Sequence, residues 1–170
     1  MSNSLLAEID PFVCAEQKRY FSGQLSIKEL PRLLEDVLAS EALLDIEFQF
    51  FKEQKNIIIT GRISGELMLQ CAACLEPMSF PVDIQVGLAV IRDQSLMDYV
   101  PDSYEPCVVE DRCLQLSSIV EDEVLLTLPI IAKHDRCIND LPHTSASKDF
   151  VVEELEVKEN PFEVLKNLKH

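Results

Sequence analysis

Glycine is scarce in this chain. The four residues, at positions 23, 61, 65 and 87, are scattered and never form a phosphate-cradling loop, which argues against nucleotide hydrolysis and dinucleotide binding. Six cysteines, at positions 14, 71, 74, 107, 113 and 137, are too few for a disulfide scaffold and suit a reduced, cytoplasmic setting. The longest near-apolar run, residues 124–132, contains Thr127 and Pro129 and falls well short of the ~20 residues of a membrane-spanning helix. Residues 1–10 lack both the basic start and the apolar stretch of a secretory signal. No Gly-x-Ser-x-Gly is present, and the three histidines, 134, 143 and 170, fall in or beyond a segment that reads as a linker, where catalytic geometry is held poorly. Cations are outnumbered two to one, 15 against 30 acids, for a net charge of -15. Such a field repels phosphate and anionic lipid, disfavours a broad nucleic-acid grip, and attracts basic partners.

With 170 residues, 47% of them hydrophobic and 26% charged, the chain has the make-up of one packed domain. Ser26 and Glu29 form a capping-box pair ahead of Ile27, Leu30, Leu34, Val37 and Leu38, predicting a helix to about Ala39 whose regular part begins nearer Pro31. From Leu44 the period becomes two. Leu44, Ile46, Phe48 and Phe50 share one face; after a polar break, Ile57, Ile59, Ile63, Leu67 and Leu69 continue it; the even positions from Met78 to Val90 return along a third strand. An antiparallel sheet is expected, with residues 71–77 as one of its turns. Val108 and Val109 suggest one more short strand. A second helix is expected from Ser118, with Glu121 completing a capping box, to Pro129. The fold class is α+β: an antiparallel sheet of three to five strands, two packed helices, and a short C-terminal helix after an acidic linker.

Three segments follow: a single α+β domain over 1–132, a mobile acidic linker over 133–159, and a helix over 160–170 opened by Asn160 and Pro161. A helix that short does not hold in water alone, so Phe162, Leu165 and Leu168 dock on the protein's own body or on a partner. The acidic run Glu121, Asp122 and Glu123 has two readings as well. One is a solvated helix start, and the other is a contact for a basic partner.

Cys71-Ala-Ala-Cys74 carries the clearest chemistry, because two thiolates three apart at a turn can share one tetrahedral ion. One pair is half a site. His134 and Cys137 would complete a zinc set if the segment after the second helix folds onto the turn; simply reduced cysteines are the other reading. A redox pair is disfavoured, since that motif is activated at a helix N-terminus and this one lies between strands. Residues 17–21, Gln-Lys-Arg-Tyr-Phe, put two cations and two aromatics together, either to stack on RNA or as an exposed basic patch flanking core aromatics.

Several of these motifs, in this order, resemble the YceD family, the large ribosomal RNA subunit accumulation protein of bacteria: Gln17-Lys18-Arg19 with Gly23, Cys71-Ala-Ala-Cys74, Tyr104-Glu105-Pro106, the stretch 120–129, and Asn160-Pro161-Phe162 with Leu165, Leu168 and Lys169. The resemblance implies a cytoplasmic, non-enzymatic protein needed for synthesis, processing or stability of 23S ribosomal RNA. The resemblance also implies a four-thiolate site in some relatives, finished by further cysteines after the equivalent helix, whereas this chain offers His134 and Cys137. Its charge favours basic ribosomal or assembly proteins of the large subunit as partners, leaves direct RNA contact open, and gives no sign of a membrane or small-molecule substrate. The alternative is a zinc-stabilised protein-binding module with another client.

Overall fold

A computed structural model describes residues 8–38, 41–135 and 137. The chain divides into two units, Met1–Asn139 and Asp140–His170, and all the described residues belong to the first. From Asp140 on, the predicted linker and the helix over 160–170 lie outside them.

The body is α+β. Strand β1 (Glu8–Ile9) leads into helix α1 (Pro11–Glu16), strand β2 (Tyr20–Ser26), a single 3-10 turn (Ile27–Glu29) and helix α2 (Pro31–Asp36). Three long strands follow, β3 (Leu43–Glu53), β4 (Asn56–Gln70) and β5 (Pro77–Ile91), and then β6 (Glu105–Val108), β7 (Leu114–Gln115) and helix α3 (Leu116–Thr127). The main sheet runs β2-β3-β4-β5-β6, and β1 pairs with β7 apart from it.

The period-two pattern does what it dictates. On β3, Leu44, Ile46, Phe48 and Phe50 are buried while Asp45, Glu47 and Gln49 face solvent. These side chains, with Ile59, Ile63 and Leu67 of β4 and Val82, Val86 and Leu88 of β5, pack against Leu116, Ile119, Val120 and Val124 of α3 and against Cys14, Ala15, Leu30 and Leu33. Gly61 sits opposite Phe48 in the register. A Cβ there would run into the Glu47 carbonyl oxygen and the Phe48 ring, so the glycine is what lets the ring lie across β4.

The β4–β5 hairpin outgrows the sheet. β3 pairs with β4 only from Glu53↔Asn56 to Leu44↔Gly65, whereas β4 and β5 stay paired on to Gln70↔Pro77. Residues 66–70 and 77–81 therefore form a two-stranded arm. Pro77 and Pro81 lie where β5 has no second neighbour, since β6 pairs only with 88–91, so their missing N–H groups break no ladder.

Four expectations change. The sheet is not wholly antiparallel, because β6 joins β5 in parallel after the excursion through residues 92–104. The helix expected from Ser26 to about Ala39 is split: Ser26 and Glu29 do form a capping box, but on the 3-10 turn, and α2 starts at Pro31 and ends at Asp36. Among the described residues there are three α-helices where two packed helices were expected ahead of the C-terminal one, because Asp10 caps a six-residue α1 by accepting from the N–H groups of Phe12 and Val13. Ser118 and Glu121 form no capping box, as α3 begins earlier, at Leu116.

Glu121 instead faces inward. Only 7% of its side chain is exposed, and Oε1 accepts from the N–H groups of Arg32 (2.6 Å) and Leu33 (3.2 Å) while Oε2 accepts from Arg32 Nε (2.8 Å). Leu30, at the N-cap of α2, has no side chain able to do this. The carboxylate of α3 thus caps α2 from 89 residues away and ties the two helices together. Arg32 also reaches Asp122 (Nη1–Oδ1 2.7 Å). Glu121→Ala should lower unfolding stability by about 2–3 kcal/mol, because it orphans two N–H groups and one guanidinium contact. Urea unfolding with an unchanged slope would read this. A loss under about 0.5 kcal/mol would show that the clasp holds nothing.

Candidate metal centre

The arm ends in the Cys71–Pro77 turn. Cys71 N–H donates to the Glu76 carbonyl (3.0 Å), Leu75 N–H donates back to the Cys71 carbonyl (2.8 Å), and Leu75 takes a positive φ of 63° that a leucine rarely adopts. The chain leaving α3 reaches this turn, where Ala72 N–H donates to the Ala132 carbonyl at 2.8 Å. That backbone bond sets Ala132 beside the turn, and His134 and Cys137 follow it there.

Four predicted ligands meet there. Cys71 Sγ lies 3.6 Å from Cys137 Sγ, Cys74 Sγ lies 3.4 Å from His134 Nδ1, and all four donor atoms fall within 4.8 Å of one another. Donors on a tetrahedral ion with metal–sulfur bonds of about 2.3 Å stand about 3.8 Å apart, so the spacing fits such an ion and is too long for a disulfide. Three sulfurs and one imidazole are a zinc-type donor set. His134 and Cys137 belong to the predicted linker, yet both are half-buried at the turn.

The electrostatics of the cluster are divided. The Cys74 N–H lowers the Cys71 thiol to about 5 against the opposing effect of burial, with help from the N–H groups of His134 and Ala73 and the Cys74 side chain. Burial, then the sulfurs of Cys71 and Cys74, push Cys137 up to about 11. One sulfur is set up as a thiolate and its neighbour is held as a thiol, a conflict that a bound cation removes.

Cys14 is a buried core residue, Cys107 is half-buried and Cys113 is exposed; each is a free thiol outside the cluster. Lys18 turns the chain between α1 and β2 with φ of 50°, Tyr20 is 57% exposed, and Phe21 packs edge-on against Phe50 with centroids 5.5 Å apart. The second aromatic of that basic patch is thus committed to packing.

The acidic run splits three ways. Glu121 is withdrawn into the α2 clasp and is not presented to a partner. Asp122 is exposed beside Arg32. Glu123 is half-buried, and burial together with the Glu105 and Asp122 carboxylates raises its pKa. Phe162, Leu165 and Leu168 lie outside the described residues. Sequence reading missed Arg32 as the partner of Glu121. The signal, a lone arginine in the first turn of a helix without a side-chain cap, names no partner 89 residues away.

The chain is 28% identical over 164 residues to the large ribosomal RNA subunit accumulation protein YceD of Haemophilus influenzae, an alignment covering 95% of this chain and 94% of the relative. No solved structure matches the chain. The family model described as large ribosomal RNA subunit accumulation protein YceD matches residues 59–169, a span that starts in β4 and includes all four residues of the cluster. The chain belongs to the YceD family.

Proposed function

We propose that this protein supports the accumulation of 23S ribosomal RNA without itself making or breaking bonds, by gripping basic ribosomal or assembly proteins of the large subunit in the cytoplasm. The observation that carries this reading is the near full-length likeness to a relative named for that outcome. Charge supplies the mechanism. A chain of net charge -15 draws in basic proteins and lends little support to coating RNA. His134, the one histidine among the described residues, faces Cys74 rather than an open cleft, which supports a non-catalytic reading. None of the helices in the described region is long and apolar enough to cross a membrane.

The contact surface centres on Asp122 and Glu123, with Glu105 beside them. Burial and the Glu105 and Asp122 carboxylates disfavour the charge on Glu123, and an incoming Lys or Arg relieves it. Phe162, Leu165 and Leu168, read from the sequence, supply an apolar anchor after this electrostatic capture. In this reading zinc holds Cys71, Cys74, His134 and Cys137 together and so fastens the chain after α3 to the arm, fixing where the C-terminal segment departs. The same cluster favours the second reading, a zinc-stabilised module for another client.

Three outcomes are expected. The protein co-sediments with large-subunit precursors and is released as salt rises from about 0.1 to 1 M, over which the Debye length falls from about 10 to about 3 Å. Co-sedimentation indifferent to salt, or cleavage of precursor transcripts by the pure protein, overturns the adaptor. Metal analysis of the reduced protein finds about one zinc per chain. Cys71→Ser loses the zinc, and chelation lowers the melting temperature of the wild type alone; a metal-free protein indifferent to chelator sinks the zinc reading.

The third outcome concerns pH. Glu123 has a raised pKa in the folded state, so its carboxyl favours the fold while protonated and opposes it as pH rises through that pKa. Glu123→Gln should therefore melt higher than wild type at pH 7, with the gap closing below about pH 4. A gap that is absent at pH 7, or constant with pH, contradicts the carboxylate crowding.

A further inference from the structure

The far end of the β4–β5 hairpin, about 45 Å from the cysteine turn at the rise of an extended strand, carries a group of cations. A cleft of about 460 Å³ opens there, lined by Lys52 near the end of β3, Lys55 in the β3–β4 turn, Arg92 just after β5, and Arg112 just before β7. One carboxylate, Glu16, lines it with them. Arg112 is paired with Asp10 (2.9 Å), whereas Lys52, Lys55 and Arg92 make no ion pair among the described residues. In a protein with twice as many acids as bases, such a concentration of cations needs a reason.

The cleft is also built to stack. Arg92 and Arg112 both lie on the Phe12 ring, 4.7 and 5.2 Å from its centroid, which holds each guanidinium in place. Tyr99, on the 3-10 segment Gln94–Tyr99, stands 78% exposed at the rim, and Leu96 and Val100 add apolar wall. Strained backbone gathers at this end as well. Gln54 between the two lysines has φ of 54°, and Asp111 and Arg112 have φ of 50° and 57°, conformations that cost roughly 1–3 kcal/mol each for such residues.

We infer that this cleft binds unpaired RNA, with Lys52, Lys55 and Arg92 on successive phosphates and a base stacked on Tyr99 or on a guanidinium face. An acidic peptide would use the cations but not the exposed aromatic and the planar guanidiniums, so the combination favours a nucleotide. A duplex is disfavoured, because it would press many more phosphates against an acidic surface. The inference deepens the ribosomal reading and rests on it for the choice of RNA. It gives the protein two contact surfaces, a cleft for ribosomal RNA and a separate acidic face for a basic protein.

The test uses the full chain and a fluorescein-labelled single-stranded RNA 12-mer of mixed sequence, read by anisotropy, with melting curves to confirm that each variant is folded. Binding is expected in 50 mM salt and should weaken roughly 20-fold by 200 mM, as release of about three phosphate counterions from a single strand requires. Lys52→Glu with Lys55→Glu should lose at least about tenfold, and Tyr99→Ala about fivefold or more. Arg92→Lys, which keeps the charge but not the plane, should also weaken binding, while Arg62→Ala on the outer sheet face should leave it unchanged. No binding at 50 mM salt, or full binding by the double charge swap, overturns the inference. Displacement of the RNA by a glutamate 12-mer at equal concentration overturns it in favour of an acidic peptide. The double swap is expected to keep co-sedimentation through the acidic face. Failure of the oligonucleotide assay with co-sedimentation intact therefore removes the RNA cleft alone, and the reverse result removes the adaptor alone.

Discussion

The length mismatch between strands governs where chemistry can sit in this protein. β3 pairs with β4 no further than Gly65, yet β4 and β5 continue to Gln70 and Pro77, so the sheet ends in an arm with one turn at its tip. A two-stranded arm is marginal on its own in water. It is held here by what packs along it: Leu38 N–H donates to the Met68 carbonyl, and the chain after α3 bonds to Ala72. The tip of the arm is thus fixed against a segment far away in sequence, which is what lets two cysteines from a hairpin meet a histidine and a cysteine from beyond the last described helix.

The position of α3 makes that meeting possible. Its buried face, Leu116, Ile119, Val120 and Val124, lies on the sheet, and Glu121, one residue after Val120, turns to the N-terminus of α2. A glutamate at the start of an acidic run reads as solvated when only local periodicity is considered. Inside the protein the same carboxylate satisfies N–H groups that no local side chain can reach. The helix is anchored by its polar as well as its apolar side, and the chain leaving it is aimed along the arm.

Much of this was legible in advance, for identifiable reasons. Alternation over β3, β4 and β5 is long and regular, so those strands, their buried faces and the 71–77 turn follow from period alone. The four residues of the cluster were legible because Cys-x-x-Cys at a strand turn has few uses and His134-x-x-Cys137 repeats its spacing. The parallel entry of β6 was not legible, since four residues after a long irregular excursion carry no direction. Helix α1 left only Asp10-Pro11 as a signal, sound cap chemistry on an element too short to show a period. The cationic cleft was hidden for a different reason: Phe12, Lys52, Lys55, Arg92, Tyr99 and Arg112 come from separate elements, and no window of sequence shows more than two of the cations together.

Charge arithmetic over the whole chain therefore answers a narrower question than it is asked. A net charge of -15 describes the field at distances beyond the screening length, about 8 Å in physiological salt, and there the protein is a polyanion that recruits bases. Within that length the relevant sum is local. Around the cleft four cations meet two carboxylates, Glu16 in the lining and Asp10 on Arg112, while beside Glu123 two further carboxylates crowd a third. Two surfaces of one body thus present opposite signs at contact range under a single sign at long range. In the proposed reading such a molecule approaches a basic protein by attraction, and it contacts RNA only where that protein, or unpaired strand geometry, has already brought a phosphate within reach. This ordering of encounters gives an acidic protein a physical route to acting on the fate of an RNA.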